Sequence, residues 1–362
     1  MWQAHEGNLS GANIALLEYI DALESHFDFW VVLPHGGSMI QALELRSIPF
    51  SVIHQYGWTN SFPRWKILKW LKVVVRSIMA IWQIKRLIRN LNVSIVCSNT
   101  LVPFTASAAA KQLGVPHIWW IHEFGKEDFG FKIGWGYEKV AYRWIQSSSQ
   151  LIIGNSKAIS AKFSKLMPKA NIVSIYQPVS WNQHSAIHPI SKKARFLIFG
   201  QLVASKGHIT VLNAMSVIKK LGKQVPSLHI IGPSEQPSYL KELKDLVNRY
   251  GLVEHVHIEV GFFEKEKTLP CYEVLIVASN CEAFGRVIVE ANKSGISVLV
   301  RNSGGAPELI NDSNGLLFQS QDELMSALCG EREFPASLNL HLNYDESFEL
   351  EKLTHKIKEV CS

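Results

Sequence analysis

Glu282 and Glu290 lie in the stretch NCEAFGRVIVEANKSG, residues 280–295, and bracket a glycine and an apolar run. The strand pattern VLIVAS ends at Ser279, and a helix is expected from about residues 284–286, with Gly285 letting the backbone turn closely. Glu282 then falls on a loop, while Glu290 sits more than one turn into the helix. On one continuous helix, eight residues would rotate the two carboxylates about 80° apart. Split between loop and helix, both can face one elongated ligand at different points. Free amides at the helix start suit a phosphate. A carboxylate deep in the helix suits vicinal hydroxyls, such as those of a ribose. Two glutamates alone would more often be a helix cap and a surface residue.

A second constellation is FGQLVASKGHITVLNA, residues 199–214. A strand ending in glycine, then Lys206-Gly207, then a helix, places an ammonium where a diphosphate would lie. Ser303, Gly304 and Gly305 form another tight turn, before a helix expected at 307–310. In the first half, GNLSGANIALLEYI (7–20) is a Gly-rich loop opening a helix, with Gly11 and Ala12 as candidate ligand positions. WWIHEF (119–124) ends a buried strand with His122 and Glu123 at its edge. Asn155 or Ser156 reads as the N-cap of the following helix.

Positioning these groups requires alternating strands and helices, and the sequence supplies them. Short apolar runs alternate with helical patterns throughout, which argues for βαβ units and parallel sheets. Strand patterns fall at 29–33, 50–54, 94–97, 117–122, 151–154 and 171–176, and again at 194–200, 228–232, 256–261, 274–279 and 297–302. Residues 177–193 break the rhythm with two prolines and no periodicity. The expected division is a first domain over 1–178, a linker over 179–193 and a second domain over 194–344, with a charge-rich terminal helix (345–362) that can pack back on the first. This gives an α/β protein with two Rossmann-like domains facing a central cleft, whose ligands sit beyond the carboxyl ends of the strands. The chain has 362 residues, 47% of them hydrophobic and 19% charged, as expected of packed domains and not of a disordered chain. Neither a secretory signal nor a membrane span is expected. The five cysteines are scattered without a ligand spacing, so reduced thiols in a cytoplasm are the simplest reading. There is no HxxxH or DxD at a strand end, so neither a metal site nor a cofactor is expected.

The charge is unevenly placed. Between Leu45 and His122 there are ten basic residues and no acid, so the net +6 less +10 leaves −4 for the remainder. Residues 58–92 hold four tryptophans and eight of those basic residues. Lys66, Lys69, Lys72 and Arg76 share one helical face, whereas Lys85, Arg86 and Arg89 fall nearly opposite. Basic residues mixed with tryptophan at an apolar helix suit an anionic membrane surface. Nucleic acid is the rival partner, but no motif of that class is present. A core helix with a solvated basic edge is the plainer alternative.

EAFGRVIVEANKSG followed by ISVLVRNSGGAPELI resembles, nearly position by position, the E-x7-E signature of retaining GT-B glycosyltransferases of the glycosyl transferase group 1 family (glycosyltransferase family 4). The resemblance covers essentially the whole second domain and, more loosely, the first. It implies that Glu282 touches the transferred sugar and Glu290 the ribose, with amides around Phe284, Gly285 and Arg286 against sugar and diphosphate. Gly304 and Gly305 would lie near the same ligand. Lys206 and Gly207 resemble the family's G-R-x-x-x-x-K-G segment, in which an Arg and a Lys neutralise the leaving diphosphate. Gln201 stands where the arginine is usual, so the charge would rest on Lys206, helix amides and Arg286. The first-domain loop with Gly11 and Ala12 would face donor phosphate and acceptor, and His122 the sugar. Only Met1–Glu6 precedes that loop, so the strand expected there is either cut off or very short.

The function implied is metal-independent transfer of a hexose or deoxyhexose from a UDP-, GDP- or dTDP-linked sugar to a lipid-linked or polysaccharide acceptor, with retention at the anomeric carbon, in O-antigen or capsule biosynthesis. The location implied is the cytoplasmic side of the cell membrane, with peripheral attachment. No protein nucleophile stands out, which favours front-face attack assisted by the leaving phosphate. A sugar-nucleotide epimerase sharing the fold and a non-catalytic glycan-binding or scaffold subunit are the rivals. The sugar, base, acceptor and linkage are not legible; IIGPSEQ (230–236) and GFFEKE (261–266) are where base readers would lie.

Overall fold

A computed structural model of the chain describes residues 1–59, 67–181, 194–335 and 341–361. The chain forms two compact units, residues 1–178 with 345–362, and residues 179–344. Most of the expected linker lies outside the described residues.

The first unit runs β1 (Trp2–Gln3), α1 (Gly11–Leu23), β2 (Val31–Leu33), α2 (Ser38–Glu44), β3 (Phe50–Val52), α3 (Ile67–Asn90), β4 (Val96–Asn99), α4 (Thr105–Leu113), β5 (His117–Ile121), α5 (Lys126–Phe129), α6 (Glu138–Ser148), β6 (Leu151–Gly154), α7 (Lys157–Leu166) and β7 (Ile172–Ser174). Its sheet is parallel in the order β3-β2-β1-β4-β5-β6-β7. The strand before the Gly-rich loop is therefore present but only two residues long. Trp2 pairs with Val31 on one side and Cys97 on the other, so β1 holds the middle of the sheet. Its brevity is offset by packing, since Trp2 lies 5.4 Å from Trp120 and 6.1 Å from Tyr19, ring to ring.

The second unit runs β8 (Phe196–Phe199), α8 (His208–Lys220), β9 (Leu228–Gly232), α9 (Pro237–Arg249), β10 (Val256–Val260), α10 (Lys265–Thr268), β11 (Val274–Val277), α11 (Arg286–Lys293), β12 (Ser297–Arg301), β13 (Gly315–Phe318) and α12 (Gln321–Leu328). The sheet is again parallel, ordered β10-β9-β8-β11-β12-β13. Strand β13, which follows the turn-rich NDSNG, carries too short an apolar run to stand out in the sequence. The helix expected at 307–310 is a single 3-10 turn over Ala306–Leu309 opened by Pro307. The buried cores behave as parallel sheets require: β8 and β11 are continuous apolar runs and β9 is interrupted only by buried His229, with α8, α9 and α12 packed against them through Leu212, Met215, Leu243 and Leu324.

The last helix, α13 (Glu346–Cys361), belongs to the first unit. Leu353 and Ile357 enter the core beside α1. Glu349 accepts the Tyr176 backbone N–H at 2.9 Å, and Lys352 donates to the Ser174 carbonyl at 2.6 Å, so the helix is fastened to the end of β7.

Helix α3 has two apolar stripes on opposite sides. Val73, Ser77, Ala80, Ile84 and Ile88 are buried at helical spacing. Leu68, Leu71, Val75, Ile78 and Trp82 repeat at the same spacing but are exposed, Leu68 by 85% and Trp82 by 61%. At 100° per residue the two stripes stand about 160° apart. Lys72, Arg86 and Arg89 are exposed alongside. Arg76 instead reaches the Tyr56 hydroxyl at 3.3 Å, and Lys85 reaches Gln112 at 3.0 Å. Lys66 and the Lys69 side chain lie outside the described residues. Among the described residues, no helix is long and apolar enough to cross a membrane.

Candidate active site

In the second sheet the chain leaves β8 in one direction to β9 and β10, then returns to the other side of β8 for β11, β12 and β13. The connections leaving the carboxyl ends of β8 and β11 therefore diverge, and the gap between them is where an α/β sheet leaves room for a ligand. Lys206 stands on the first connection and Glu282 on the second. Their side chains meet, with Nζ 2.9 Å from Oε2. Glu282 is 19% exposed in its side chain and Lys206 38%, so the pair borders solvent at the mouth of this gap.

The loops that carry the pair are laced together through backbone. Asn280 N–H donates to the Ser205 carbonyl at 2.8 Å, joining the two connections. Ser303 Oγ donates to the Asn280 carbonyl at 2.6 Å, Arg301 donates to the Asn280 side chain at 2.8 Å, and Gly305 N–H donates to the Glu282 carbonyl at 2.7 Å. The Ser303–Gly305 turn after β12 thus supports the Glu282 loop from behind. Two glycines make this packing possible. Gly207 has φ +74°, and a Cβ there would collide with the Ala278 carbonyl oxygen; Gly304 has φ +67°, and its Cβ would collide with the Glu282 backbone.

Helix α11 starts at Arg286, with Gly285 as its left-handed N-cap at φ +96°. The side chain of Phe284 is buried edge-on against Tyr344, at 6.0 Å between rings, so this residue can offer a ligand only its backbone. Glu290 is one turn further along and only 3% exposed. Sequence reasoning assigned it a ribose but no partner within the protein. Both of its oxygens accept from Lys265 Nζ, at 2.6 and 2.8 Å, and Arg286 lies 3.6 Å away. Lys265 opens α10, on the connection that follows β10, within the segment singled out as a base reader. The GFFEKE motif offered a hint, but a pairing across 25 residues becomes visible only once β10 and β11 are placed on the two sides of β8. Arg286 thus stands beside Glu290. Gln201 lies just past the end of β8, half-buried, with its carbonyl accepting from Val203 N–H at 3.0 Å.

The first unit has its own switch point, between β1 and β4. The loop after β1 is held by Asn13, buried, which donates to the carbonyls of Glu6 and Asn8 at 3.1 and 2.7 Å. Here the glycines the packing demands are Gly7 and Gly37, whose Cβ atoms would strike His35 and Gly7 backbone; around Gly11, the first residue of α1, there is open space. The Ala12 carbonyl accepts from Asn99 Nδ2 at 3.1 Å. His122 follows β5, half-buried, its ring 6.0 Å from that of Trp120. Next to it Glu123 is buried and accepts N–H bonds from Leu101 at 2.6 Å and His122 at 3.1 Å. Burial outweighs those bonds and pushes its carboxyl up to about 8, so it carries its proton at neutral pH. Thr100, between β4 and this network, has φ +74°, an outlier for a β-branched residue. Asn155 and Ser156 precede α7, and Ser156 caps it by accepting from Ile159 N–H at 3.1 Å.

Two family descriptions match the chain: "Glycosyl transferases group 1" over residues 180–328 and "Glycosyltransferase Family 4" over residues 9–181. The chain belongs to the group 1 glycosyltransferase family. Among curated relatives, an uncharacterized 41.2 kDa protein in the cps region of Klebsiella pneumoniae is 29% identical over 205 residues, covering 51% of this chain and 53% of the relative. A GDP-mannose-dependent alpha-(1-6)-phosphatidylinositol monomannoside mannosyltransferase of Mycobacterium tuberculosis is 29% identical over 140 residues, 35% of each chain. The chain thus spans about half or less of the length of these relatives. Solved structures match over nearly the whole chain. HepE of Anabaena in complex with UDP has a TM-score of 0.72 at 17% identity, covering 99% of this chain and 98% of its own. The lipopolysaccharide outer core galactosyltransferase WaaB has 0.71 at 16%, with the same coverage. The fold of this family member is GT-B.

Proposed function

We propose that this chain is a retaining glycosyltransferase that moves a hexose or deoxyhexose from a nucleotide sugar to a lipid-linked or polysaccharide acceptor, without a catalytic metal. The observation that carries this reading is the Lys206–Glu282 pair at the switch between β8 and β11, with Glu290 buried on the adjoining helix. A sugar diphosphate laid across this gap would present its phosphates to Lys206 and the α11 amides, its sugar to Glu282 and its ribose to Glu290. When the bond from the anomeric carbon to the diphosphate breaks, the electron pair leaves with the phosphate oxygen, and an ammonium stabilises that developing charge. Glu282 is engaged by Lys206, which favours a polar contact to the sugar over a covalent role. The acceptor oxygen would then attack from the face the phosphate leaves, its proton passing to a phosphate oxygen. HepE is described with UDP and with UDP-glucose, which supports a nucleotide-sugar donor. The mannosyltransferase and galactosyltransferase relatives support a lipid-linked or polysaccharide acceptor.

Incubation with UDP-, GDP- and dTDP-sugars tests the reading. Release of free nucleoside diphosphate supports transfer. Isomerised sugar would indicate the epimerase, and binding without turnover the scaffold. Hydrogen bonds to a charged group contribute about 1.5–3 kcal/mol, so Glu290→Ala should weaken donor use by roughly 10–100-fold. Unchanged donor affinity and turnover would refute the ribose assignment.

The exposed stripe of α3 supports peripheral attachment to an anionic bilayer. Leu71, Ile78 and Trp82 would enter the interface while Lys72, Arg86 and Arg89 meet headgroups, each cation contributing about 1 kcal/mol near the surface. Sedimentation with phosphatidylglycerol vesicles should be lost in a Leu71→Ser/Ile78→Ser/Trp82→Ser variant. Retained binding there would refute this surface.

A further inference from the structure

We propose that His229, His257 and Glu259 form a binding site for one divalent transition-metal ion of zinc type at the outer edge of the second sheet. His229 and His257 are register partners on the parallel strands β9 and β10. Their side chains therefore leave the same face side by side, with ring centroids 4.7 Å apart. Glu259, two residues further along β10, returns to that face. One potential ligand atom from each of the three lies within 4.8 Å of the others. His229 Nε2 is already 3.3 Å from Glu259 Oε2, close to the separation of two ligand atoms on a tetrahedral ion with bonds of about 2.1 Å.

The surroundings suit such an ion. His229 is buried, and its Nδ1 lies 2.6 Å from the hydroxyl of buried Tyr272. A tyrosine oxygen that accepts the Nδ1 proton fixes the tautomer with its lone pair on Nε2, on the side of Glu259. His257 is exposed and Glu259 half-buried, so both can close by a rotamer change. A cavity of about 460 Å³ adjoins the three and is also lined by His255 and Glu254, which leaves a path of entry and room for water as a fourth ligand. Two imidazoles and a carboxylate match zinc, nickel or cobalt better than calcium or magnesium, which prefer oxygen-only sets.

Place decides role. The cavity is lined by Ala194, Ser227 and Val253, which precede β8, β9 and β10, so it opens toward the amino ends of the strands, whereas Lys206 and Glu282 lie beyond the carboxyl ends. The ion would take no part in sugar transfer. It would tie the edge strand β10 to its neighbour β9, stiffening an edge with one free side.

The test uses the full chain, stripped with a chelator and titrated with zinc chloride by calorimetry and with cobalt chloride by visible absorption. The wild type should take up one equivalent of either metal, give a visible cobalt band, and melt at a higher temperature with zinc. His257→Gln/Glu259→Gln, which alters two accessible side chains, should fold, lose the cobalt band and lose the zinc-dependent rise in melting temperature. Tyr272→Phe should weaken zinc by about 10–100-fold while keeping one equivalent. Absence of stoichiometric binding in the wild type would overturn the site. So would equal affinity in the double variant, which would mean adventitious metal only.

Discussion

Replacing Lys265 with methionine removes the nearer of the two cations that meet buried Glu290 in the candidate donor site. The side chain stays unbranched, one atom shorter, but loses the ammonium that meets both oxygens of Glu290 at 2.6 and 2.8 Å. Glu290 is 3% exposed, so its carboxylate cannot recover that loss from water. Breaking a buried pair by removing one partner costs about 3–5 kcal/mol, mostly from the charge left behind. Arg286, 3.6 Å away, still offers a cation and brings the expected cost to the lower end, about 3 kcal/mol. The reverse change is milder. In Glu290→Gln the carboxylate is lost to Lys265, whose side chain is 34% exposed and can turn toward water, and to Arg286 at the longer distance of 3.6 Å. About 1–2 kcal/mol is expected there. The double variant removes both partners of the Lys265–Glu290 pair and leaves Arg286 facing a neutral amide, as Glu290→Gln does, so it should resemble Glu290→Gln and recover much of what Lys265→Met lost. Urea denaturation of the four proteins reads this order directly. A Lys265→Met variant as stable as Glu290→Gln, or single effects that simply add in the double variant, would refute the pairing.

Gly207→Ala should cost more than 2 kcal/mol, because a residue at φ +74° is strained by about 1–2 kcal/mol before its Cβ meets the Ala278 carbonyl; a melting temperature within a degree of wild type would contradict this. Gly11→Ala, with open space around the Cβ at the first position of α1, should leave stability unchanged or slightly raised. If that stable variant loses transfer activity, a ligand approaches the Gly11 backbone, and if it keeps full activity the assignment of Gly11 fails. Glu123 holds its proton up to about pH 8 when folded, against an ordinary 4.5. Between those values the unfolded chain releases a proton the native one keeps, so this contribution is fully present below pH 4.5 and lost as pH rises through about 8. The stability difference between wild type and Glu123→Gln should therefore move against wild type by up to about 1.4 kcal/mol per pH unit across pH 5–7.5. Parallel pH profiles would show that the group titrates normally.

Local spacing was readable in the sequence wherever one segment contains the whole answer. The Glu282 loop, the Gly285 cap and the start of α11 follow from a strand ending, a glycine and an apolar helical run within a dozen residues. Strands β6 and β8 appear as continuous apolar runs, and β5, β9 and β12 as apolar runs with one or two polar residues, because they are largely buried on both faces. Strand β1 could not be read as one, since two residues carry no periodicity and its place depends on neighbours at Val31 and Cys97. Gly11 drew attention as part of a Gly-rich loop, yet close packing is required at Gly7 and Gly37, thirty residues apart in sequence and joined only when α2 docks on the loop.

The α3 segment divides in the same way. Its composition gave a basic, tryptophan-rich helix, but which apolar stripe is buried against α4 and which is left facing water depends on the sheet beneath. So do the charge partners. Lys206 finds Glu282 across 76 residues because β8 and β11 are neighbours in a sheet whose connections diverge between them. A sequence sets the chemistry and local conformation of each loop through its own residues. Strand order, settled by burying both faces of each sheet at once, decides which of those loops share a mouth.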